Sequence, residues 1–185
     1  MRLGHEISYT ELIQMAVSVI GVSYAFSFAW ENYSFAEILL TVGTGFLLHE
    51  LGHKYVAIRY GAHAEYRMWT LGLVAAVILA VVFGFVFAAP GAVYIYGKEL
   101  TKKQSGNVAL AGPVVNIFLC IAFFALSAVL AGIAPVLIAG ARINAFLAAF
   151  NLIPSDPFDG GKVYRGDKTT WIAAFALAAI LVIMV

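Results

Sequence analysis

His49 and His53 stand four residues apart, and Glu50 directly follows the first of them. On a helix, positions four apart share a face, so two imidazoles at this spacing can grip one Zn²⁺ ion. Glu50 then lies beside the metal without ligating it, where a carboxylate can act as general base on a water activated by the ion. The run His49-Glu50-Leu51-Gly52-His53 sits inside an apolar stretch from Phe35 to Tyr60, between Phe46-Leu47-Leu48 and Tyr55-Val56-Ala57-Ile58. Ionisable groups at membrane depth cost several kcal/mol unless they are paired or ligated, so an incidental, solvated pair of histidines does not fit this context. A purely structural zinc would need a fourth protein ligand, and there is no second cysteine or well-placed fifth histidine to supply one.

The rest of the chain must carry this helix through an apolar environment. Of its 185 residues 63% are hydrophobic and 11% charged, with a mean hydropathy of +0.93. That is the composition of a polytopic helical membrane protein, not of a soluble domain. A single domain over 1–185 is expected, with a catalytic core at about 36–165. The net charge of +1 gives no reason to expect nucleic acid as a partner. Cys120, alone in an apolar run, cannot form an internal disulfide. The beginning of the chain lacks a small-residue cleavage site before its next polar stretch, so the first apolar run is expected to be retained as a span; His5 and Glu6 read as polar flank.

The first span is expected from about Glu11 to Trp30, with Trp30 and Tyr33 at a membrane interface. The second carries the histidines, with Gly43 and Gly45 one to two turns ahead of them, where another helix could pack closely. The polar segment 62–67 reads as a loop, and its His63 as a solvated histidine. Leu71 to Ala88 is apolar and long enough to span. The stretch from Phe83 to Tyr96, however, places aromatic and β-branched residues around Pro90-Gly91, a hairpin signature. At membrane depth a hairpin is tolerated only against protein or a water-filled cavity. Further spans are expected over about 108–130, 136–150 (carrying Arg142 and Asn144) and 171–185, the last of them marginal at about 22 Å.

The basic residues bear on topology. If 71–96 enters the membrane and returns to the same side, then Arg2, Arg59, Arg67, Lys98, Lys102, Lys103, Lys162, Arg165 and Lys168 all share one face. The opposite loops, 31–34 and 132–135, carry no Lys or Arg. That face is then cytoplasmic. A full crossing would split the basic loops and put 151–162 on the side farther from the histidines, so the re-entrant arrangement is preferred.

A catalytic zinc needs a third protein ligand and an open position. Asp156 and Asp159 lie in the proline-broken segment after the 136–150 span. Asp159 is favoured because Gly160 and Gly161 let the backbone approach closely, although helix capping or a turn is the commoner role for such an aspartate.

The His49-Glu50-Leu51-Gly52-His53 helix, taken with Asn151-Leu152-Ile153-Pro154 and Pro157-Phe158-Asp159-Gly160-Gly161, resembles the site-2 protease family of intramembrane zinc metalloproteases. The Ala111-Gly112-Pro113 and Asn116 patch is similar to a stretch common in that family. Phe158 stands where an aliphatic residue is usual. The resemblance covers about residues 36–165. It implies an all-α polytopic membrane protein of five to six transmembrane helices, with a small membrane-inserted β-hairpin after the metal-binding helix. It implies one Zn²⁺ per chain on His49, His53 and Asp159, with Glu50 as general base and Asn151 at the substrate backbone or oxyanion. Asn144, two turns before Asn151, is a weaker candidate, for which an interhelical hydrogen bond is as good a role. The implied function is hydrolysis of peptide bonds within or near transmembrane helices of membrane-protein substrates, in regulated intramembrane proteolysis. The implied location is the cell membrane, with the active site toward the cytoplasm. No PDZ-like or nucleotide-sensing domain is expected, which makes this a minimal catalytic core. A membrane zinc-binding or transport protein is the alternative, but it has no need of a carboxylate at Glu50.

Overall fold

The computed structural model describes residues 7–84, 86 and 90–185; His5, Glu6 and Arg2, and part of the stretch 83–96, lie outside these. Helix α1 (Tyr9–Ala29) is capped by Ser8, whose hydroxyl accepts from the Glu11 amide. Helix α2 (Phe35–Ile38) opens with a Ser34/Glu37 capping box and runs through a π-turn (Leu39–Gly43) into α3 (Thr44–Arg59). Strand β1 (His63–Met68) leads to α4 (Thr70–Phe83) and strand β2 (Gly91–Tyr96). Helices α5 (Lys102–Ser127), α6 (Ala134–Asn151), α7 (Asp159–Gly166) and α8 (Lys168–Met184) complete the chain.

Among the described residues four helical segments are long and apolar enough to cross a membrane: Tyr9–Ala29, Phe35–Arg59, Lys102–Ser127 and Ala131–Asn151. Large apolar side chains such as Leu12, Ile20, Phe118 and Ile121 face outward on them, as surfaces that meet lipid do. The shorter apolar helices α4 and α8 have 14 and 17 residues.

The sheet differs from the expected hairpin in its pairing. Strand β2 lies where the sequence suggested, but its partner is β1, with His63 opposite Tyr96 and Met68 opposite Gly91. The segment 63–68, read as a loop, alternates polar and apolar residues, and Ala64 and Tyr66 on its inward side are buried. That alternation is the strand signal. The outer edge of β1 is closed by α1: the Tyr66 amide donates to Glu11 (2.9 Å) and the Met68 amide to Gln14 (2.9 Å). Glu11 is buried and also accepts from Lys54 of α3. One carboxylate therefore ties α1, α3 and β1 together. At Gly91 a Cβ would run into the Tyr66 hydroxyl and the Arg67 carbonyl, so the register requires a glycine. Because Met68 and Gly91 are partners, the chain between them leaves and rejoins the sheet at the same end.

The C-terminal end of α3, the start of α5, the α6–α7 turn and the start of α8 meet at one end of the bundle. There Asn107 donates to the Tyr60 hydroxyl, Lys98 donates to the Tyr60 carbonyl, and the Trp171 indole donates to the Leu152 carbonyl. Gly106 and Gly166 bring α5 and α7 into backbone contact.

Candidate active site

Helix α3 presents His49 and His53 one turn apart, both buried, toward α5. Their Nε2 atoms stand 3.0 Å apart. Asp159, the first residue of α7, reaches them from the opposite side, with Oδ2 3.4 Å from His49 and 3.1 Å from His53. It gets there because Gly160 and Gly161 sit against the backbone of 152–156: a Cβ on Gly160 would collide with the Leu152 carbonyl, and one on Gly161 would lie 3.0 Å from the Ser155 carbonyl. The close approach expected of these glycines is what the structure has. Asp156 points elsewhere and pairs with the exposed Arg165 at 2.9 Å. His63 sits on β1 beside Tyr96, away from the site.

The far side of each imidazole is fixed. His53 Nδ1 lies 2.7 Å from the Val108 carbonyl, which can only accept, so this nitrogen carries the proton. His49 Nδ1 lies 2.5 Å from Asn116 Oδ1. Asn116 Nδ2 donates to the Gly45 carbonyl (3.2 Å), which sets that amide with its oxygen toward His49. Both Nε2 atoms are then bare lone pairs, and Asp159 adds a carboxylate oxygen. Three acceptors thus converge with no hydrogen between them, an arrangement that asks for a cation. Their separations of 3.0 to 3.4 Å fit ligand atoms around a tetrahedral zinc, which are about 3.3 Å apart for bonds of about 2.0–2.1 Å. These three residues form the metal-capable group among the described residues.

Gly112 of α5 lies against the pair: a Cβ there would be 2.5 Å from both Nε2 atoms. Glu50 is buried, and its Oε2 has no hydrogen-bond partner. It lines a cavity of about 330 Å³ together with Asn151, Phe158, Lys162 and residues 91–95 of β2. Asn151 lines this cavity but donates one N–H to the Leu147 carbonyl of its own helix (3.0 Å). Asn144 is buried away from the cavity and accepts from Asn116 across the α5–α6 interface (2.9 Å), the interhelical role. Arg142 donates to the Val185 carbonyl.

The Val108 carbonyl and Lys162 have no signal in residue spacing. A backbone acceptor is invisible in sequence, and Lys162 reaches the cavity only because α7 turns there. Asn116 was legible as a polar residue in an apolar helix.

The chain is 44% identical over 170 residues to MJ0611 of Methanocaldococcus jannaschii, a protein assigned by name as a zinc metalloprotease, covering 89% of this chain and 88% of that one. It is 32% identical over 126 residues to Rip3 of Mycobacterium tuberculosis, also named as a zinc metalloprotease, covering 64% of this chain and 28% of the relative. With YwhC of Bacillus subtilis, named likewise, it shares 29% identity over 145 residues, 68% of this chain and 66% of the other. No family model matches the chain, and no solved structure matches it.

Proposed function

The chain belongs to the site-2 protease family of zinc metalloproteases, and from that premise we propose that it cleaves peptide bonds within or beside transmembrane helices of other membrane proteins. In this reading His49, His53 and Asp159 hold the zinc, and the single domain spans the described chain. The observation that carries it is three converging acceptors beside an unpartnered carboxylate oxygen, inside apolar helices and open to a cavity. Zinc supplies Lewis acidity there, polarising a carbonyl and making a water acidic near neutral pH.

Glu50 Oε2 takes the proton from the attacking water and returns it to the leaving amine nitrogen. The second N–H of Asn151 faces the substrate carbonyl, where it stabilises charge developing on the oxygen. A transmembrane helix hides its scissile bonds, so the substrate must unwind locally. Strand β2 offers an edge for it: β1 covers one side of β2, and no strand covers the other among the described residues. An extended substrate segment adds there by β-augmentation and lies along the cavity that β2 lines. Just before β2, residues 85 and 87–89 lie outside the described residues.

The topology proposed is five spans, with α8 as the fifth and the excursion between Met68 and Gly91 as a re-entrant element. The end that gathers Arg59, Lys98, Lys102, Lys103 and Lys168 faces the cytoplasm in the cell membrane. Val108, at the imidazole of His53, lies about 9 Å along α5 from Lys102, a short path for water from that side.

The test uses purified full-length chain co-reconstituted with single-span membrane proteins. Glu50→Gln is expected to abolish cleavage while about one zinc per chain remains bound, and His49→Ala and Asp159→Ala to lose the zinc. Cleavage unchanged in Glu50→Gln rules out this mechanism; zinc retained without Asp159 rules out this ligand set.

A further inference from the structure

Asn116 on α5 and Asn144 on α6 have no exposed surface; Asn116 borders the cavity, and Asn144 lies behind it. Two buried amides in an apolar bundle need a reason, since each must find partners for an oxygen and two N–H groups. Their hydrogen bonds run in one direction. Asn144 Nδ2 donates to the Gly140 carbonyl (2.9 Å), which can only accept and therefore turns Asn144 Oδ1 toward α5. Asn116 Nδ2 donates to that oxygen (2.9 Å) and to the Gly45 carbonyl (3.2 Å). Asn116 Oδ1 is left facing His49 Nδ1 at 2.5 Å. Both ends of the chain are fixed by backbone carbonyls, so neither amide can flip without setting acceptor against acceptor. Gly45 makes the crossing possible, since a Cβ there would lie 2.6 Å from Asn144 Oδ1.

We propose that Asn116 is a positioning residue for the metal centre and that Asn144 sets its orientation: the relay holds His49 as the Nδ1–H tautomer with Nε2 free for the ion. This rests on the reading of His49 as a zinc ligand. His53 has a backbone carbonyl for the same purpose and cannot lose it by substitution. His49 alone depends on side chains, two helices deep.

The experiment measures zinc affinity of the detergent-purified full chain by competition with a chelator, beside ¹⁵N NMR of the histidine rings in zinc-free protein. Asn116→Leu removes the acceptor, and zinc binding is expected to weaken about 10–100-fold, as for other groups that orient a ligand histidine. Its His49 ring is expected to lose the pure Nδ1–H signature. Asn116→Asp keeps an oxygen on His49 but turns its second oxygen on the Gly45 carbonyl and Asn144 Oδ1, so it costs fold stability; it is nonetheless expected to bind zinc more tightly than Asn116→Leu, since carboxylates also orient ligand histidines. Asn144→Leu, which leaves Asn116 oriented by the Gly45 carbonyl alone, is expected to weaken zinc and mix the tautomers to a lesser degree. A merely structural role would make Asp as harmful as Leu at 116, and that result overturns the proposal. So does wild-type zinc affinity in Asn116→Leu while His49→Ala binds none. Zinc retained by His49→Ala instead overturns the ligand assignment beneath it.

Discussion

Gly112→Ala is the perturbation that tests the geometry of the centre most directly. The new Cβ would lie 2.5 Å from His49 Nε2, 2.5 Å from His53 Nε2 and 2.6 Å from His53 Cε1. Ordinary contacts begin near 3.4 Å, so each imidazole must retreat by 3.4 − 2.5, about 0.9 Å, whereas zinc ligands tolerate displacements of only about 0.2 Å. Neither ring has slack, because Asn116 holds the far nitrogen of His49 and the Val108 carbonyl that of His53. The fold itself should lose about 1–3 kcal/mol, the usual cost of one methyl too many in a packed interior. Zinc affinity should fall by more than the roughly 100-fold upper figure for losing an orienting partner, since two ligands are displaced together. Gly52→Ala is the control. It lies on the same α3–α5 contact, but its Cβ would meet Val115 Cγ2 at 3.1 Å and the Ala111 carbonyl at 3.2 Å. It should lower thermal stability in detergent and keep its zinc. The assay is zinc per chain and chelator competition, with circular dichroism to confirm helicity. If folded Gly112→Ala binds one zinc with wild-type affinity, the ion does not sit between these nitrogens and the reasoning fails.

Lys54→Met should destabilise the protein by about 3–5 kcal/mol, the cost of stranding a buried carboxylate, here Glu11. Adding Glu11→Gln, which keeps an acceptor for the Tyr66 amide, should recover most of that loss, as read from unfolding free energies. Chelation of zinc should lower the melting temperature of wild type but not of His49→Ala; free zinc at 100 times the dissociation constant is worth about 2.7 kcal/mol. Asp167 caps α8 by accepting from the Thr169 and Thr170 amides, chiefly the Thr170 bond, which lowers its pKa. A carboxyl depressed on folding contributes stability above its unfolded pKa and loses it as pH falls through the folded value. Exchange protection of those two amides should therefore fall in that acid range, and Asp167→Asn should flatten the dependence.

Residues able to share a metal announce themselves through spacing, and the His49/His53 pair with Glu50 beside it could be read because a helix repeats on a short period. Asp159 could be favoured over Asp156 from its glycines, since close approach is a local demand, but its part in a metal site came from the resemblance of the whole segment to the family. Strand β1 was also present in the sequence, as the alternation His63-Ala64-Glu65-Tyr66-Arg67-Met68, but its hydrophobic members are small or mixed and its outer edge is sealed by Glu11 and Gln14, more than fifty residues away. No local pattern carries that. The start of α5 fell six residues earlier than hydropathy placed it, because the Thr101/Gln104 capping box begins the helix in polar sequence. Asn116 and Asn144 were visible as polar residues, but the direction of their hydrogen bonds depends on which carbonyls three helices bring together.

What the fold leaves unsatisfied bears on function as much as what it satisfies. Among the described residues two buried polar side-chain atoms lack a partner, Ser23 Oγ and Glu50 Oε2. The two are not equal in cost. An unpaired hydroxyl loses about 1–3 kcal/mol, and a charged group more. A hydroxyl on a helix can also rotate, whereas a carboxylate oxygen can only accept. The same structure orients His49 through two amides, gives His53 a carbonyl, and buries Glu11 only with Lys54 and the Tyr66 amide around it. A bundle that partners its other buried acid so fully has no structural use for a bare carboxylate oxygen. In the proposed mechanism its use is to take the proton of the attacking water, in the cavity that Glu50 lines together with His49, His53 and Asp159.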